Sequence, residues 1–202
     1  MFASKMGSRN MRFVHRLGDM LRRYLDADIE FSGMRYLTYL AFVFIAACML
    51  GWIYEVIDVL ITFNTLTNRG FLYGPWLPIY GTGAVSLLVL LGRWRRNPFI
   101  VFFGAMLVAG VLEYATGAAL MAIWHERWWD YTGLPLNIQG YVCLYSVLAF
   151  GTMALLLFYL IDPLVRRLFD RVKSRMLPIV VWGFAATMFV DFVLTMIFRH
   201  PI

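Results

Sequence analysis

The stretch YLTYLAFVFIAACMLGWIYEVIDVLIT, residues 36–62, decides the fold class of this chain. An α-helix needs roughly 20 consecutive apolar residues to cross a bilayer, and this stretch exceeds that length. Its only charged side chains are those of Glu55 and Asp58, three residues apart near the C-terminal end. Residues 36–62 therefore predict a transmembrane helix that carries two acids on one face.

Further apolar stretches follow, and 61% of the whole chain is hydrophobic. This fraction exceeds the roughly 45–50% of soluble domains, so the composition favours a membrane protein. The sequence predicts an all-α, polytopic transmembrane helix bundle of about five spans, in a transmembrane domain that covers residues 34–202. The predicted spans are approximately 36–62, 75–92, 98–123, 141–162 and 177–198.

Residues 1–33 are predicted to form a separate basic leader on the cytoplasmic side. Seven apolar residues recur there at helical spacing, with arginines between them: Phe13, Val14, Leu17, Met20, Leu21, Tyr24 and Leu25. This periodicity is typical of an amphipathic helix on a membrane surface. We expect the leader to bind anionic lipid headgroups, while the lipid bilayer surrounds the spans.

The basic residues set the expected orientation. The leader together with Arg35, the 93–97 loop and the 163–176 loop hold 15 of the 18 Lys and Arg residues, and all lie on one side of a five-span bundle. The positive-inside rule places the N-terminus in the cytoplasm and the C-terminus outside, in a bacterial cytoplasmic (inner) membrane. The net charge of +6 is a topology signal in this interpretation, and no nucleic-acid partner is expected.

Ionisable side chains at membrane depth are costly, and they need a partner or a function. Besides the two acids of the first span, the spans hold Glu113 and Asp191, and all four acids fall in the outer half of the bundle. Asp162 differs, because Arg166 and Arg167 follow it at the inner end of the fourth span. We expect an interfacial ion pair there.

Two outer loops supply the expected counter-ions. Arg69 follows Glu55 by 14 residues, and Arg127 follows Glu113 by the same interval. We expect each arginine to pair with its acid. The shared interval also raises the hypothesis that spans 1–2 and spans 3–4 are a repeat with an offset of 58 residues.

The second predicted span begins irregularly. Its start reads GPWLPIYG, residues 74–81, and two prolines there remove amide donors. Irregular backbone is tolerated at membrane depth only where it packs against protein or lines a watery cavity. The pattern therefore predicts a non-helical segment in the outer half of the bundle.

Several motifs together indicate a family resemblance. They are GWIYE at 51–55, NRGFLYGPWLPIYGTGA at 68–84, LEYATG at 112–117 and RWWDYTGLPLNIQGYVCL at 127–144. Residues 40–165 thereby resemble the CmpB-type putative ABC-transporter type IV membrane proteins. The resemblance implies that the signature positions are Glu55, Asn68, Arg69, Gly70, Pro75, Pro78, Tyr80, Gly81, Glu113, Trp129, Asp130, Asn137 and Gly140.

The resemblance and the acids favour a permease or transporter subunit with a polar site in the outer half of the bundle. A cation, a proton or a basic solute suits such a site. The expected substrate- or ion-binding residues are Glu55, Asp58, Asn68, Arg69, Tyr80, Glu113, Arg127, Trp129, Asp130, Asn137 and Asp191. The expected backbone-shaping residues are Gly70, Pro75, Pro78, Gly81 and Gly140.

The absence of an ATP-binding motif bears on the partners that this chain would need. It has no G-x-x-x-x-G-K-[ST] motif, so this chain is not expected to be an enzyme that hydrolyses ATP itself. An ABC-type assembly would need a separate ATPase subunit, and a homo-oligomer is the other expected assembly. No cofactor or metal is expected.

Two other classes stay open. One is a membrane-embedded enzyme or lipid-handling protein at the outer leaflet, in which Glu113, Arg127, Asp130 and His125 would supply acid–base groups and a phosphate clamp. The other is a structural or accessory membrane scaffold, in which the acids and arginines only stabilise the bundle.

Overall fold

The computed structural model describes residues 15–16, 18–26, 33–125, 127–172 and 175–198. After the leader, this part of the chain forms α1 (Met34–Phe63), α2 (Pro78–Leu91), α3 (Pro98–Trp124), α4 (Leu144–Leu156), α5 (Asp162–Arg171) and α6 (Met176–Phe198). The 3-10 turn Gly92–Trp94 follows α2, and the π-helical turn Leu157–Ile161 joins α4 to α5 in one continuous helix. The predicted all-α class is confirmed.

Local chemistry sets the helix ends on both sides of the bundle. Asn97 caps α3, because its side chain accepts hydrogen bonds from the amides of Phe99 and Ile100. α1 and α3 each end at a residue in the left-handed conformation, Asn64 and His125 respectively. These left-handed residues turn the chain into the two loops that carry most of the candidate residues.

α1 and α2 pack as an antiparallel pair with small residues at their contact. A Cβ added to Gly81 would lie 2.4 Å from Cys48 Sγ and 2.7 Å from the Phe44 carbonyl oxygen. Just before α2, the Leu77 amide donates to the Cys48 carbonyl oxygen at 3.0 Å. Small residues let helix backbones approach closely, which is how helices associate in lipid without a hydrophobic driving force.

The chain passes along the bundle five times. We call the end with residues 18–26, the 92–97 turn and α5 the leader end. Hydrogen bonds there join Arg96 to Leu25, and join Tyr159, in the π-helical turn before α5, to Arg95. The opposite end, with residues 64–77 and 125–143, is the loop end. α1, α3 and α6 run from the leader end to the loop end, and α2 and the α4–α5 helix run back.

Four helices among the described residues are long and apolar enough to cross a membrane: Met34–Phe63, Pro98–Trp124, Leu144–Arg171 and Met176–Phe198. α2 is shorter, with 14 residues, and it begins at Pro78 rather than at residue 75. Residues 64–77 before it form neither helix nor strand, which agrees with the irregular backbone expected there. The number of membrane spans stays a prediction, because α2 alone is shorter than a typical span.

The outer surface of the bundle is apolar. Leu50, Phe103, Leu107 and Phe189 are each more than 60% exposed. Contiguous exposure of large apolar side chains is unfavourable in water and is the normal condition in lipid. The surface therefore agrees with a membrane protein.

Residues 15–16 and 18–26 of the leader are helical, and we call them the leader helix. It contacts the bundle through Tyr24, whose side chain is 8% exposed. Its ring centre lies 4.3 Å from the guanidinium carbon of Arg95 and 5.8 Å from that of Arg166, so the aromatic ring faces two cations. The predicted leader covers residues 1–33, of which 1–14, 17 and 27–32 lie outside the described residues.

The ion pair expected at Asp162 is present, and its position at the membrane interface stays a prediction. Arg166 Nε donates to Asp162 Oδ2 at 2.9 Å, and the Tyr39 hydroxyl also donates to the Asp162 carboxylate. Asp162 is only 1% exposed, so these partners supply the charge and hydrogen bonds that a buried carboxylate needs.

Candidate functional site

Glu55 lies on α1 at the loop end and accepts hydrogen bonds from two neighbours. Arg69, in the following loop, donates through Nε at 3.3 Å and through Nη2 at 3.2 Å, both to Oε2. The Tyr80 hydroxyl donates to Oε1 at 2.9 Å. The expected Glu55–Arg69 pair is therefore present, with Tyr80 on the second oxygen. The side chains of Glu55 and Arg69 are 31% and 40% exposed, so neither is buried by the protein.

Glu113, on α3, is 5% exposed. The Tyr131 hydroxyl donates to its Oε1 at 3.0 Å, and the Ser146 hydroxyl lies 2.8 Å from its Oε2. Ser146 is the third residue of α4, where it forms a capping box with Cys143. Within the described part of the chain, hydroxyl groups and not a cation hold this buried carboxyl group.

The expected pair of Glu113 with Arg127 is wrong. Arg127 Nη1 donates instead to Asp130 Oδ1 at 3.0 Å. The physical reason is the path of the loop. α3 ends at the left-handed residue His125, and the chain returns over Glu113 only at Tyr131, four residues beyond the arginine.

Asp130 organises the second outer loop. The Thr132 amide donates to Asp130 Oδ1 at 2.9 Å, and the Thr132 hydroxyl donates to the same atom. These hydrogen bonds and the nearby Arg127 hold the pKa of Asp130 below its usual value. Gly140 closes the loop with a φ of 77°, and a Cβ there would lie 2.3 Å from Arg127 Nη1. Arg127 and Asp130 thus neutralise each other within this loop.

Glu55 and Glu113 both lie at the loop end, and the Tyr131 hydroxyl binds Glu113 directly. Burial raises the pKa of the Tyr131 hydroxyl, and the carboxylates of Glu113 and Glu55 raise it further. Tyr131 therefore stays a neutral hydrogen-bond donor at neutral pH. We define the loop-end cluster as Glu55, Arg69, Tyr80, Glu113, Tyr131 and Ser146.

Each acid of the loop-end cluster has the same two kinds of partner. One is a hydroxyl at the third residue of the next helix, Tyr80 for Glu55 and Ser146 for Glu113, and the other is a loop side chain. The acids are 58 residues apart but the hydroxyl residues are 66 apart, so the second connection is longer. The repeat stays a hypothesis, with the acids in equivalent places and the loops different.

Asp191, on α6, makes a different set of contacts. Its carboxylate accepts hydrogen bonds from the Gly74 amide at 3.0 Å, the Tyr73 amide at 3.3 Å and the Trp76 indole at 2.7 Å. The Thr195 hydroxyl adds a fourth at 3.3 Å. Asp191 therefore holds the irregular segment 64–77 against α6, and these hydrogen bonds do not include the loop-end cluster.

Three other candidates form hydrogen bonds that shape the loops. Asn68 accepts a hydrogen bond from the Trp52 indole at 2.7 Å, and the Trp129 indole donates to the Tyr141 carbonyl oxygen at 2.9 Å. Asn137 accepts from the amide three residues later at 3.2 Å. These contacts position backbone, and none of them reaches the two glutamates.

The remaining candidates lie on α1, in the first loop and at the start of α2. Gly70 has a φ of 88°, a conformation that favours glycine, and Pro78 occupies the first position of α2. Gly81 lies against α1, as described above, and Pro75 is exposed in the irregular segment. Asp58 is exposed on α1.

Sequence reasoning did not select Tyr131, Ser146 or Trp76. A signal existed for Tyr131, because it follows its loop arginine by four residues, as Tyr73 does in the first loop. Serine is compatible with an apolar helix, so the sequence gave no comparable signal for Ser146. The described residues include no group of three His, Cys, Asp or Glu side chains suited to a metal ion.

Comparison with known protein families gives a match. A family model described as "Putative ABC-transporter type IV" matches residues 42–196. The match starts within α1 and ends within α6, so it includes both acids of the loop-end cluster and also Asp191. No curated protein and no solved structure matches the chain.

Proposed function

Because the chain belongs to the putative ABC-transporter type IV family, we propose that it is the membrane-embedded subunit of a transporter. Its polar site is the loop-end cluster, and the species that this site handles is a proton or another small cation. Within the cluster, Glu113 is the exchangeable acid and Glu55 is the charged acid at the entrance.

The hydrogen bonds of Ser146 carry this proposal. Its hydroxyl lies 2.8 Å from Glu113 Oε2 and 2.9 Å from the Cys143 carbonyl oxygen, and its oxygen accepts the Cys143 amide at 3.2 Å. A hydroxyl group has one proton, so it donates to one acceptor at a time. When Glu113 is ionised, Ser146 donates to it. When Glu113 is protonated, Glu113 donates to Ser146, which turns its own proton to the Cys143 carbonyl.

Both arrangements satisfy the polar groups at this buried position. Glu113 can therefore gain or lose a proton while every buried donor and acceptor around it keeps a hydrogen-bond partner. A buried polar group without a partner would cost about 1–3 kcal/mol. Its second oxygen keeps the Tyr131 hydroxyl in either state. A carboxyl group built into an ion pair with arginine lacks this freedom, and for that reason we assign the exchange to Glu113 and not to Glu55.

Glu55 and Arg69 are the part of the cluster that a solute meets first. Both side chains are about one-third exposed, whereas Glu113 is buried below them. Tyr131 donates its hydroxyl hydrogen bond to Glu113, and Tyr80 donates its own to Glu55. A cation that reaches the loop end would compete with Arg69 for Glu55 before it affects Glu113.

The energy source in this proposal is a separate ATPase subunit, because this sequence has no phosphate-binding motif of its own. The short basic segments of the leader end, 93–97 and 163–176, are the proposed docking face for that subunit. The predicted orientation, with this end in the cytoplasm, would expose them to it.

The test compares cells that lack the chain with cells that carry the wild type or Glu113→Gln. Their cytoplasmic pH and their total content of ions and small solutes are measured. We expect the wild type to change the pH or at least one solute, and Glu113→Gln to match the cells without the chain. Asp26→Asn makes the same acid-to-amide change at a leader side chain that is 76% exposed, and it should behave as the wild type.

Two results would overturn the proposal. One is a profile that does not respond to the chain at all. The other is a Glu113→Gln protein that reaches the membrane at the wild-type level and restores the wild-type profile.

A further inference from the structure

A cleft of about 740 Å³ opens at the leader end between the leader helix and α5. Its volume is within the range of roughly 300–1,000 Å³ that is typical of small-molecule sites. Six arginines line it, from three separate parts of the chain: Arg16, Arg23, Arg95, Arg166, Arg167 and Arg171.

The acids of the cleft do not balance these cations. Among the described residues, Asp19 and Asp170 are the acidic ones that line it, and Arg166 is already paired with the buried Asp162. Asp170 is already paired with Arg35, which lies outside the cleft, at 3.1 Å. The cleft therefore keeps a large positive excess, and a positive surface of this kind attracts anions.

Four of the arginines are arranged as two like-charged pairs. Arg167 and Arg171 are four residues apart on α5, and Arg16 and Arg23 are seven apart on the leader helix, so each pair lies on one helix face. Among the ion pairs between described residues, none involves these four side chains. Like charges four residues apart on a helix repel one another, and a bound anion would remove this repulsion between Arg167 and Arg171.

We propose that this cleft binds the phosphate group of an anionic ligand, which is either a phospholipid headgroup or a soluble phosphorylated compound. The planar guanidinium group of arginine matches phosphate oxygens with two parallel hydrogen bonds, and it is the side chain best suited to this chemistry. Tyr24 also lines the cleft, and its ring lies near the guanidinium groups of Arg95 and Arg166. An anion bound to both walls would join the leader helix to α5.

The inference goes beyond the proposed transport function, because the cleft and the loop-end cluster lie at opposite ends of the bundle. Four arginines of the cleft also belong to the proposed ATPase docking face: Arg95, Arg166, Arg167 and Arg171. The test below uses the purified chain without an ATPase, so its failure leaves the proposed transport function standing. The Glu113→Gln variant keeps the arginine cleft, and the arginine variants below keep the cluster.

The test is the thermal unfolding of the purified full chain in a neutral detergent. The probes are dioleoyl phosphatidylglycerol in mixed micelles and inorganic pyrophosphate, with dioleoyl phosphatidylcholine as the zwitterionic reference. We expect the unfolding temperature to rise with at least one anionic probe and not with phosphatidylcholine. A rise with phosphatidylglycerol alone assigns the site to a lipid, and a rise with pyrophosphate alone assigns it to a soluble phosphorylated compound.

Paired variants locate the binding. Arg167→Gln with Arg171→Gln removes one wall, and Arg16→Gln with Arg23→Gln removes the other. Each should lose most of the temperature shift, and if one pair does not fold, the other still tests the site. Arg93→Gln with Arg175→Gln removes the same charge outside the cleft lining and should keep the shift.

The proposal is overturned if neither anionic probe shifts the wild type. It is also overturned if the wall variants keep the full shift, or if the Arg93 and Arg175 control loses as much of it as they do. The last result would mean general attraction to a basic protein surface rather than a site.

Discussion

Glu113 and Ser146 stand 33 residues apart in the sequence, yet the Ser146 hydroxyl lies 2.8 Å from Glu113 Oε2. The contact joins α3 to the first turn of α4, and both side chains are 5% exposed. The Ser146 hydroxyl thus binds Glu113 and also belongs to the capping box at the start of α4, so a change in the protonation state of Glu113 affects this cap.

Ser146→Ala should lower the free energy of unfolding by about 1–3 kcal/mol, since it leaves a Glu113 oxygen and the Cys143 amide without a partner. Infrared spectra of the reconstituted protein at different pH should show a carboxyl band that is lost in Glu113→Gln. The pH at which this carboxyl band reaches half of its intensity should differ between Ser146→Ala and the wild type. Ser86→Ala removes a hydroxyl from α2 and should change neither property. An unchanged titration in Ser146→Ala would contradict the two hydrogen-bond arrangements described above.

Glu55→Ala and Arg69→Ala should each lower the unfolding temperature, and the double variant should lose less than the sum. Since the two side chains are 31% and 40% exposed, we expect a coupling energy of about 1 kcal/mol or less, the value usual for solvated pairs. Thermal unfolding of all four proteins in one detergent measures it. Strictly additive losses would show that Glu55 and Arg69 do not interact.

Gly81→Ala should destabilise the bundle by about 1–3 kcal/mol, because its Cβ would overlap Cys48 Sγ and the Phe44 carbonyl oxygen. Gly83, two residues later on α2, is the matched control, since a Cβ there meets no atom within 4 Å. Gly83→Ala should be neutral or stabilise by up to about 1 kcal/mol. Tryptophan fluorescence during heating compares the two. Equal stability would disagree with the close contact between α1 and α2.

Reporter fusions after residues 96 and 173 should report the cytoplasm, and fusions after residues 68, 130 and 202 should report the outside. Position 96 is the most informative, because it follows α2, the shortest of the helices expected to cross the membrane. A reporter outside the cell at this position would show that α2 does not cross.

The Glu55–Arg69 pair could be predicted because an acid at membrane depth needs a counter-charge, and the next loop offers a single arginine. The same reasoning failed for Glu113 for a physical reason. Arg127 has another acid, Asp130, three residues away, and the local pair forms without bringing the loop over the bundle. The buried Glu113 carboxyl group instead forms hydrogen bonds with the hydroxyl groups of Tyr131 and Ser146.

The contacts of Asp191 show a second limit of sequence reasoning. Two of its partners are the backbone amides of Tyr73 and Gly74, and every residue except proline has such an amide. The rarity of an acid in an apolar span marked Asp191 as a polar position. Only the folded path of segment 64–77 reveals what this acid binds.

The shortness of α2 has a consequence for what would fill the membrane beside it. Fourteen residues form a helix of about 21 Å, which is roughly 9 Å less than a typical hydrocarbon core of about 30 Å. Segment 64–77 precedes α2, and its amides bind Asp191 and the Cys48 carbonyl oxygen. If α2 crosses the membrane as predicted, the polar backbone of this segment fills the remaining depth beside Glu55, which Arg69 of the same segment binds.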